Sequence, residues 1–227
     1  MIERVIESAI LNDFLRKKVI VLLGARQVGK TTLLESLRKK GQKVFSVNCD
    51  DMDDVLLIEE KTSTELRALL SPYDLVFIDE AQRVKNIGLT LKKIGDLKLD
   101  TQVVVTGSSS LELADEVNEP ATGRLIEYRL FPFSLSELAT HTSEREEQRM
   151  LEQRLIYGLY PEVVTFPGDA KRTLMTLTNN YLYKDLFSYR GLKKPDVLQK
   201  LLRALALQLG NEVSYNELSN LLGVDKE

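Results

Sequence analysis

The chain has 227 residues, 43% hydrophobic and 29% charged, with a net charge of −3 and a pI near 5.5. That length supports a core without covalent staples, and the mild acidity removes any global electrostatic reason to bind nucleic acid or an anionic membrane, leaving only local basic patches for such work. A single cysteine, Cys49, excludes an internal disulfide and fits a reducing compartment; the one histidine, His141, followed by polar and charged residues, reads as a solvated loop residue, and no Cys/His cluster offers a zinc site.

Taken in chain order, Ile2, Val5, Ile6, Ala9, Ile10 and Phe14 fall on one face of a helix over residues 2–16, and the start carries no apolar signal core. Strands are predicted at 18–23, 43–48, 74–79, 102–106 and 125–130, alternating with helices at 30–40, 63–70, 86–98 and 109–116. Such alternation predicts an α/β fold: a parallel sheet with helices on both faces. Beyond Phe131-Pro132-Phe133-Ser134 the pattern becomes helical. A helix starts at Leu135–Thr140, the charged stretch Ser143–Arg154 continues helical with Met150, Leu151 and Leu155 inward, and further helices follow at 169–188 and 195–209. The expected division is therefore an α/β core over 1–140, a smaller helical lid or linker over 141–210, and a separate start at 211–227. In that last piece Ser214 and Glu217 form a capping-box pair and Gly223 ends the helix. The pattern reads either as a helix-turn-helix cut before its second helix or as an unrelated terminal helix. No apolar run approaches the ~20 residues of a membrane span, so a soluble, cytoplasmic protein is expected.

Gly24-Ala25-Arg26-Gln27-Val28-Gly29-Lys30-Thr31-Thr32 follows directly on the apolar run Val19–Leu23 and fits G-x-x-x-x-G-K-[ST]. A strand that stops at a glycine and turns into a helix aims several backbone N–H groups at one point, which suits a polyphosphate. Lys30 adds a point charge for the β and γ phosphates, Thr31 is placed to hold Mg²⁺, and Thr32 is placed for the α phosphate. Arg26 is expected to point outward. About 50 residues downstream, Leu75–Ile78 ends in Asp79 and Glu80. Asp79 at the strand's edge suits a Mg²⁺ ligand, and Glu80 suits the alignment of a water against the γ phosphate. The next strand ends in Thr106-Gly107-Ser108-Ser109, where Thr106 or Ser108 is placed to touch the γ phosphate or the attacking water, while a helix cap by Ser108 or Ser109 explains those serines equally well. The absence of Asn-Lys-x-Asp favours ATP over GTP.

The segments Gly24–Thr32, Ile78–Gln82, Thr106–Ser109 and Thr122-Gly123-Arg124, then Leu130–Ser134, resemble a family of prokaryotic AAA-type ATPases. The likeness extends through Gly158-Leu159-Tyr160-Pro161-Glu162 and Tyr183-Lys184-Asp185. The resemblance implies a P-loop core, binding of ATP with Mg²⁺, and hydrolysis that drives a conformational change. It also implies a C-terminal winged-helix-like region, which this chain would contain only in part, and through which DNA or a protein partner would be met. A homo-oligomer is a further expectation, because AAA-type sites are commonly completed by an arginine from the next subunit. Arg124 is the first candidate for that cation, ahead of Arg129, Arg172 and Arg190, while Arg83 reads as a supporting or interface residue. Two other readings stay open. One is an ATP-gated binding module with little turnover, the other a small-molecule kinase on the same fold.

Overall fold

The computed structural model describes residues 2–108, 123–179 and 195–224. Two compact units are present, one over 1–174 and one over 175–227. The first is built on a five-stranded sheet of β1 (Val19–Gly24), β2 (Val44–Asn48), β3 (Leu75–Asp79), β4 (Gln102–Gly107) and β5 (Leu125–Leu130). All pairings are parallel and the order is β2-β3-β4-β1-β5. The burial of each strand follows from its place. Central β1 and β4 are buried along their whole length, whereas edge strands β2 and β5 are only partly covered.

Alternation of side chains along the strands produces two cores. Val19, Val21, Leu23, Val76, Ile78, Val103 and Val105 face a layer holding Val55 and Ile58 of α3 (Met52–Ile58), Leu66 and Leu70 of α4 (Ser63–Leu70), and Ile87, Leu91 and Ile94 of α5 (Ile87–Leu97). Ile20, Leu22, Leu75, Phe77 and Val104 face the opposite way, toward Ile10 of α1 (Val5–Asp13) and Leu33 and Leu34 of α2 (Lys30–Ser36). Each fully buried Leu or Ile contributes roughly 1.5–3 kcal/mol, so these two layers hold the sheet and with it the strand ends.

Capping chemistry sets several helix starts. Thr62 and Glu65 exchange bonds in a capping box that opens α4, and Ser134 and Glu137 do the same for α6 (Leu135–His141). Asp51 accepts from the backbone N–H of Asp53 and starts α3, a helix that the expected alternation omits. Helices α7–α10 span Glu144–Arg149, Leu151–Tyr157, Pro161–Thr165 and Ala170–Leu177, the last of them crossing the boundary between the units, and the second unit goes on to α11 (Pro195–Leu207) and α12 (Tyr215–Leu222). In α12, Ser214 caps the start through the N–H of Glu217, and Gly223, at φ 62, ends it as expected.

Some expectations are corrected. The helix expected over 30–40 stops at Ser36, whose hydroxyl bonds back to the Leu33 carbonyl. Val5 is 68% exposed, so the buried face of α1 rests on Ile10, flanked by Ile6 and Phe14. The stretch 143–154 is interrupted at Met150 (φ −87, ψ 0), and Leu155 is 78% exposed. The break turns the register, and what is buried instead is the ion pair of Arg154 with Glu147 at 2.9 Å, with Thr142 donating to the same carboxylate. That pair holds the Glu147 carboxyl below its ordinary range, the Arg154 hydrogen bond being the largest cause. His141 is the last residue of α6 rather than a loop residue. The helix expected at 109–116, the continuation of 169–188 beyond residue 179, and Thr122, Tyr183, Lys184, Asp185 and Arg190 lie outside the described residues. Among the described residues, no helix is long and apolar enough to cross a membrane.

Candidate functional site

Parallel pairing of β3, β4 and β1 brings their C-terminal ends to one edge of the sheet, where Asp79, Gly107 and Gly24 stand side by side. Gly24 is required there, because a Cβ would lie 2.7 Å from the Leu130 carbonyl oxygen and 3.0 Å from Val28 Cγ1. From Gly24 the chain turns through Ala25, Arg26, Gln27 and Val28, with Gln27 at φ 58 and Gly29 at φ 97, and enters α2 at Lys30. Val28 is fully buried and pins the loop to the core, while Thr31 and Thr32 stay exposed.

Lys30 is 5% exposed, and its ammonium donates to the carbonyls of Gly24 at 2.9 Å and Ala25 at 3.1 Å. It also lies 3.8 Å from Glu80 Oε1. Thr31 Oγ1 donates to Asp79 Oδ2 at 3.0 Å. Thr106, fully buried, donates its hydroxyl proton to Asp79 Oδ1 and accepts from the Glu80 N–H at 3.2 Å. Glu80 is in the left-handed backbone region (φ 53, ψ 41), a strained turn at the strand end of the kind that concentrates at functional positions. Lys30, Thr31, Asp79, Glu80 and Thr106 thus form one connected cluster.

The surroundings are acidic. Cys49, at the end of neighbouring β2, donates its N–H to the Asp79 carbonyl at 3.0 Å. Its thiol is pushed up to about 12, first by burial and then by the negative charges of Asp54, Asp79, Asp50 and Glu80. Oxygen donors from a hydroxyl and a carboxylate, already in contact at 3.0 Å, suit a hard cation such as Mg²⁺.

Other expected residues fall elsewhere. Arg124 precedes β5, and the register Val19↔Leu125 puts it at the opposite edge from Gly24. A six-residue strand at about 3.3 Å per residue separates the two edges by roughly 20 Å. There Arg124 pairs with Asp96 and its Cβ packs over Gly95, where an added Cβ would come within 2.9 Å. Arg124 therefore does not join the site of its own chain. Arg129 pairs with Glu127 at 3.0 Å and Arg83 with Asp50 at 3.4 Å. Ser108 follows the last residue of β4, and Arg172 belongs to α10.

Three contributors went unread in the sequence. Gln82 donates its amide to Glu80 Oε2 at 2.5 Å. Arg4, its side chain 9% exposed, lies over the Phe133 ring and donates to the Val28 carbonyl of the loop at 3.2 Å and to Glu137 at 3.0 Å. Glu137 also accepts from the N–H groups of Val5 and Ser134. Burial pushes the Glu137 carboxyl up, but those N–H groups and Arg4 outweigh it, so the group titrates below its ordinary range. Its folded value being lowered, its stabilisation is complete above the ordinary carboxylate range near ~4.3 and is lost as pH falls through the lowered value. Glu137→Gln is expected to destabilise the protein by about 3 kcal/mol at neutral pH, because the largely covered Arg4 side chain is left without its counter-charge. Denaturant titrations should show that gap closing in acid, and a gap unchanged between neutral pH and acid would remove the ion pair as its cause.

The AAA domain family matches residues 16–139, and a Domain of unknown function (DUF8612) matches residues 148–227. The chain is 25% identical over 233 residues to an uncharacterized protein of Haemophilus influenzae, covering 92% of this chain and 55% of that one. It is also 25% identical over 239 residues to an uncharacterized protein of Methanocaldococcus jannaschii, covering 96% and 53%. The chain thus spans about half the length of the curated relatives it matches. Among solved structures, the Walker-type ATPase of Pyrococcus abyssi shares the fold with a TM-score of 0.56 at 18% identity, covering 98% of this chain and 88% of that one. The chain belongs to the AAA domain family.

Proposed function

We propose that this member of the AAA domain family binds Mg-ATP at the edge formed by Gly24–Thr32, Asp79 and Glu80, and hydrolyses its β–γ phosphoanhydride. The observation that carries the reading is the direct hydrogen bond of Thr31 to Asp79 beside the buried Lys30. Two segments 48 positions apart in sequence meet there with a cation, a hydroxyl and two carboxylates. In the proposal the backbone N–H groups of Gly24–Lys30 and the Thr32 hydroxyl cradle the phosphates, and Lys30 offsets charge on the β and γ groups. Thr31 and Asp79 hold Mg²⁺, which when bound neutralises the charge that develops on the phosphate oxygens. Glu80 accepts a proton from the attacking water. The water oxygen bonds to the γ phosphorus, and the bond to the bridging oxygen breaks to leave ADP and phosphate. Thr106 keeps Asp79 and Glu80 in place through its two hydrogen bonds.

The assigned catalytic region is 1–140, and the elements after it receive the motion. Support for that coupling lies at Gly29, where an added Cβ would stand 3.8 Å from both Arg4 Nη1 and Pro161 Cγ, and at Phe133, whose N–H donates to the Leu159 carbonyl at 2.9 Å. A change in loop conformation therefore meets the Leu159–Pro161 segment and α1 at once.

The test is Asp79→Asn. The amide keeps the shape and one acceptor but loses the charge that a divalent cation requires. Turnover is expected to fall steeply and the Mg²⁺ dependence of ATP-induced stabilisation to weaken. A variant that keeps the wild-type Mg²⁺ titration curve would remove Asp79 from the metal site.

A further inference from the structure

We infer that Gln82 is the positioning residue that holds Glu80 for hydrolysis, an assignment that rests on the proposed role of Glu80. The two oxygens of the Glu80 carboxylate have different holders. Oε1 is 3.8 Å from the Lys30 ammonium, and Oε2 accepts from Gln82 Nε2 at 2.5 Å. Lys30 is also the cation that the phosphates recruit. Drawn to them, it relinquishes Oε1, the oxygen that then accepts the proton of the attacking water. Gln82 keeps its hold on Oε2 and stops the carboxylate from rotating away, so nucleotide arrival itself selects which oxygen acts.

The other end of the Gln82 amide identifies what the residue is for. Gln82 Oε1 is buried and has no hydrogen-bond partner among the described residues. A buried carbonyl without a donor is destabilising, and a methionine of similar length would fill the same space without that cost. The carboxylate fixes the amide orientation, because a flipped amide would set carbonyl oxygen against carboxylate oxygen. Gln82 thus carries an unmatched acceptor in order to present its N–H to Glu80. The strained backbone of Glu80, at φ 53, belongs to the same short turn, and the 3₁₀ helix Ala81–Arg83 that follows it fixes Gln82.

The experiment compares Gln82→Met with the unsubstituted protein by melting, by the Mg-ATP-induced melting shift, and by steady-state turnover. The melting temperature is expected to stay level or rise, the Mg-ATP shift and KM to stay unchanged, and kcat to fall about tenfold to a hundredfold, the value of one hydrogen bond to a charged group. In the Glu80→Gln background the same substitution should lower turnover no further. Gln82→Leu, with neither the donor nor an added charge, should lower kcat in the same way and takes over the test if the methionine variant does not fold. Wild-type kcat in these variants would overturn the inference, as would a loss that multiplies fully with that of Glu80→Gln. Turnover retained by Glu80→Gln alone would instead defeat the role of Glu80, whereas a loss there with normal turnover in Gln82→Met defeats only that of Gln82.

Discussion

Lys30→Ala should abolish Mg-ATP binding and turnover together while leaving the domain folded. Lys30 is a buried cation of the loop, with its ammonium held by the Gly24 and Ala25 carbonyls. In the proposed site this ammonium moves to the phosphates, so the alanine variant loses the electrostatic attraction it supplies. The cost to the fold is limited to the stem and to two carbonyls that lose a donor, about 1–3 kcal/mol. The two cores on either side of the sheet, which hold Val28, Leu33 and Leu34 on the loop side, are untouched. A calorimetric or dye-based melt separates the effects. Ligand at about 100 times its dissociation constant adds about 2.7 kcal/mol to the unsubstituted protein, and the variant should gain none of it. A full shift in the variant would mean that ATP is bound elsewhere.

Glu80→Gln should separate binding from chemistry. The amide preserves volume and can still hydrogen-bond within the turn, and Asp79, Thr31 and Lys30 keep their places, so the Mg-ATP melting shift should persist. What is lost is a carboxylate able to accept a proton from water, and turnover should fall about 10²–10⁴-fold. Single-turnover measurement of phosphate release checks this without interference from product release. Equal rates in the two proteins would take Glu80 out of the mechanism.

The parts of this molecule that were legible in the sequence are those whose physics is local. The Gly24–Thr32 loop, the run Leu75–Asp79, and the Ser214 and Gly223 caps all depend on residues within a few positions of one another. Apolar runs of strand length and strand-to-helix alternation then pointed to the α/β fold, because a parallel sheet admits few other arrangements. The omitted helix α3 is short and begins in the acidic run Asp50–Asp54, which reads as a solvated turn until Val55 and Ile58 are seen to be buried.

Arg4 and Glu137 are 133 positions apart, and neither carries a local pattern that announces a pair. The place of Arg124 follows from topology. Standing before a strand of a parallel sheet already assigns a residue to the edge opposite the loop, a consequence of topology that the local Gly123-Arg124 motif conceals. The break at Met150 escaped notice because the polar run around it fits a helix on either side, and only the buried Glu147–Arg154 pair shows which face is inward.

The account stands or falls on whether the cluster of Lys30, Thr31, Asp79 and Glu80 turns over ATP. The most direct measurement is phosphate release from ATP by the unsubstituted protein with Mg²⁺ and again after its removal by EDTA. The expected result is ADP and phosphate formed in equal amounts with Mg²⁺ and neither formed above background with EDTA. Protein that is stabilised by Mg-ATP yet releases no phosphate, or that releases it equally in EDTA, would contradict the proposed hydrolysis.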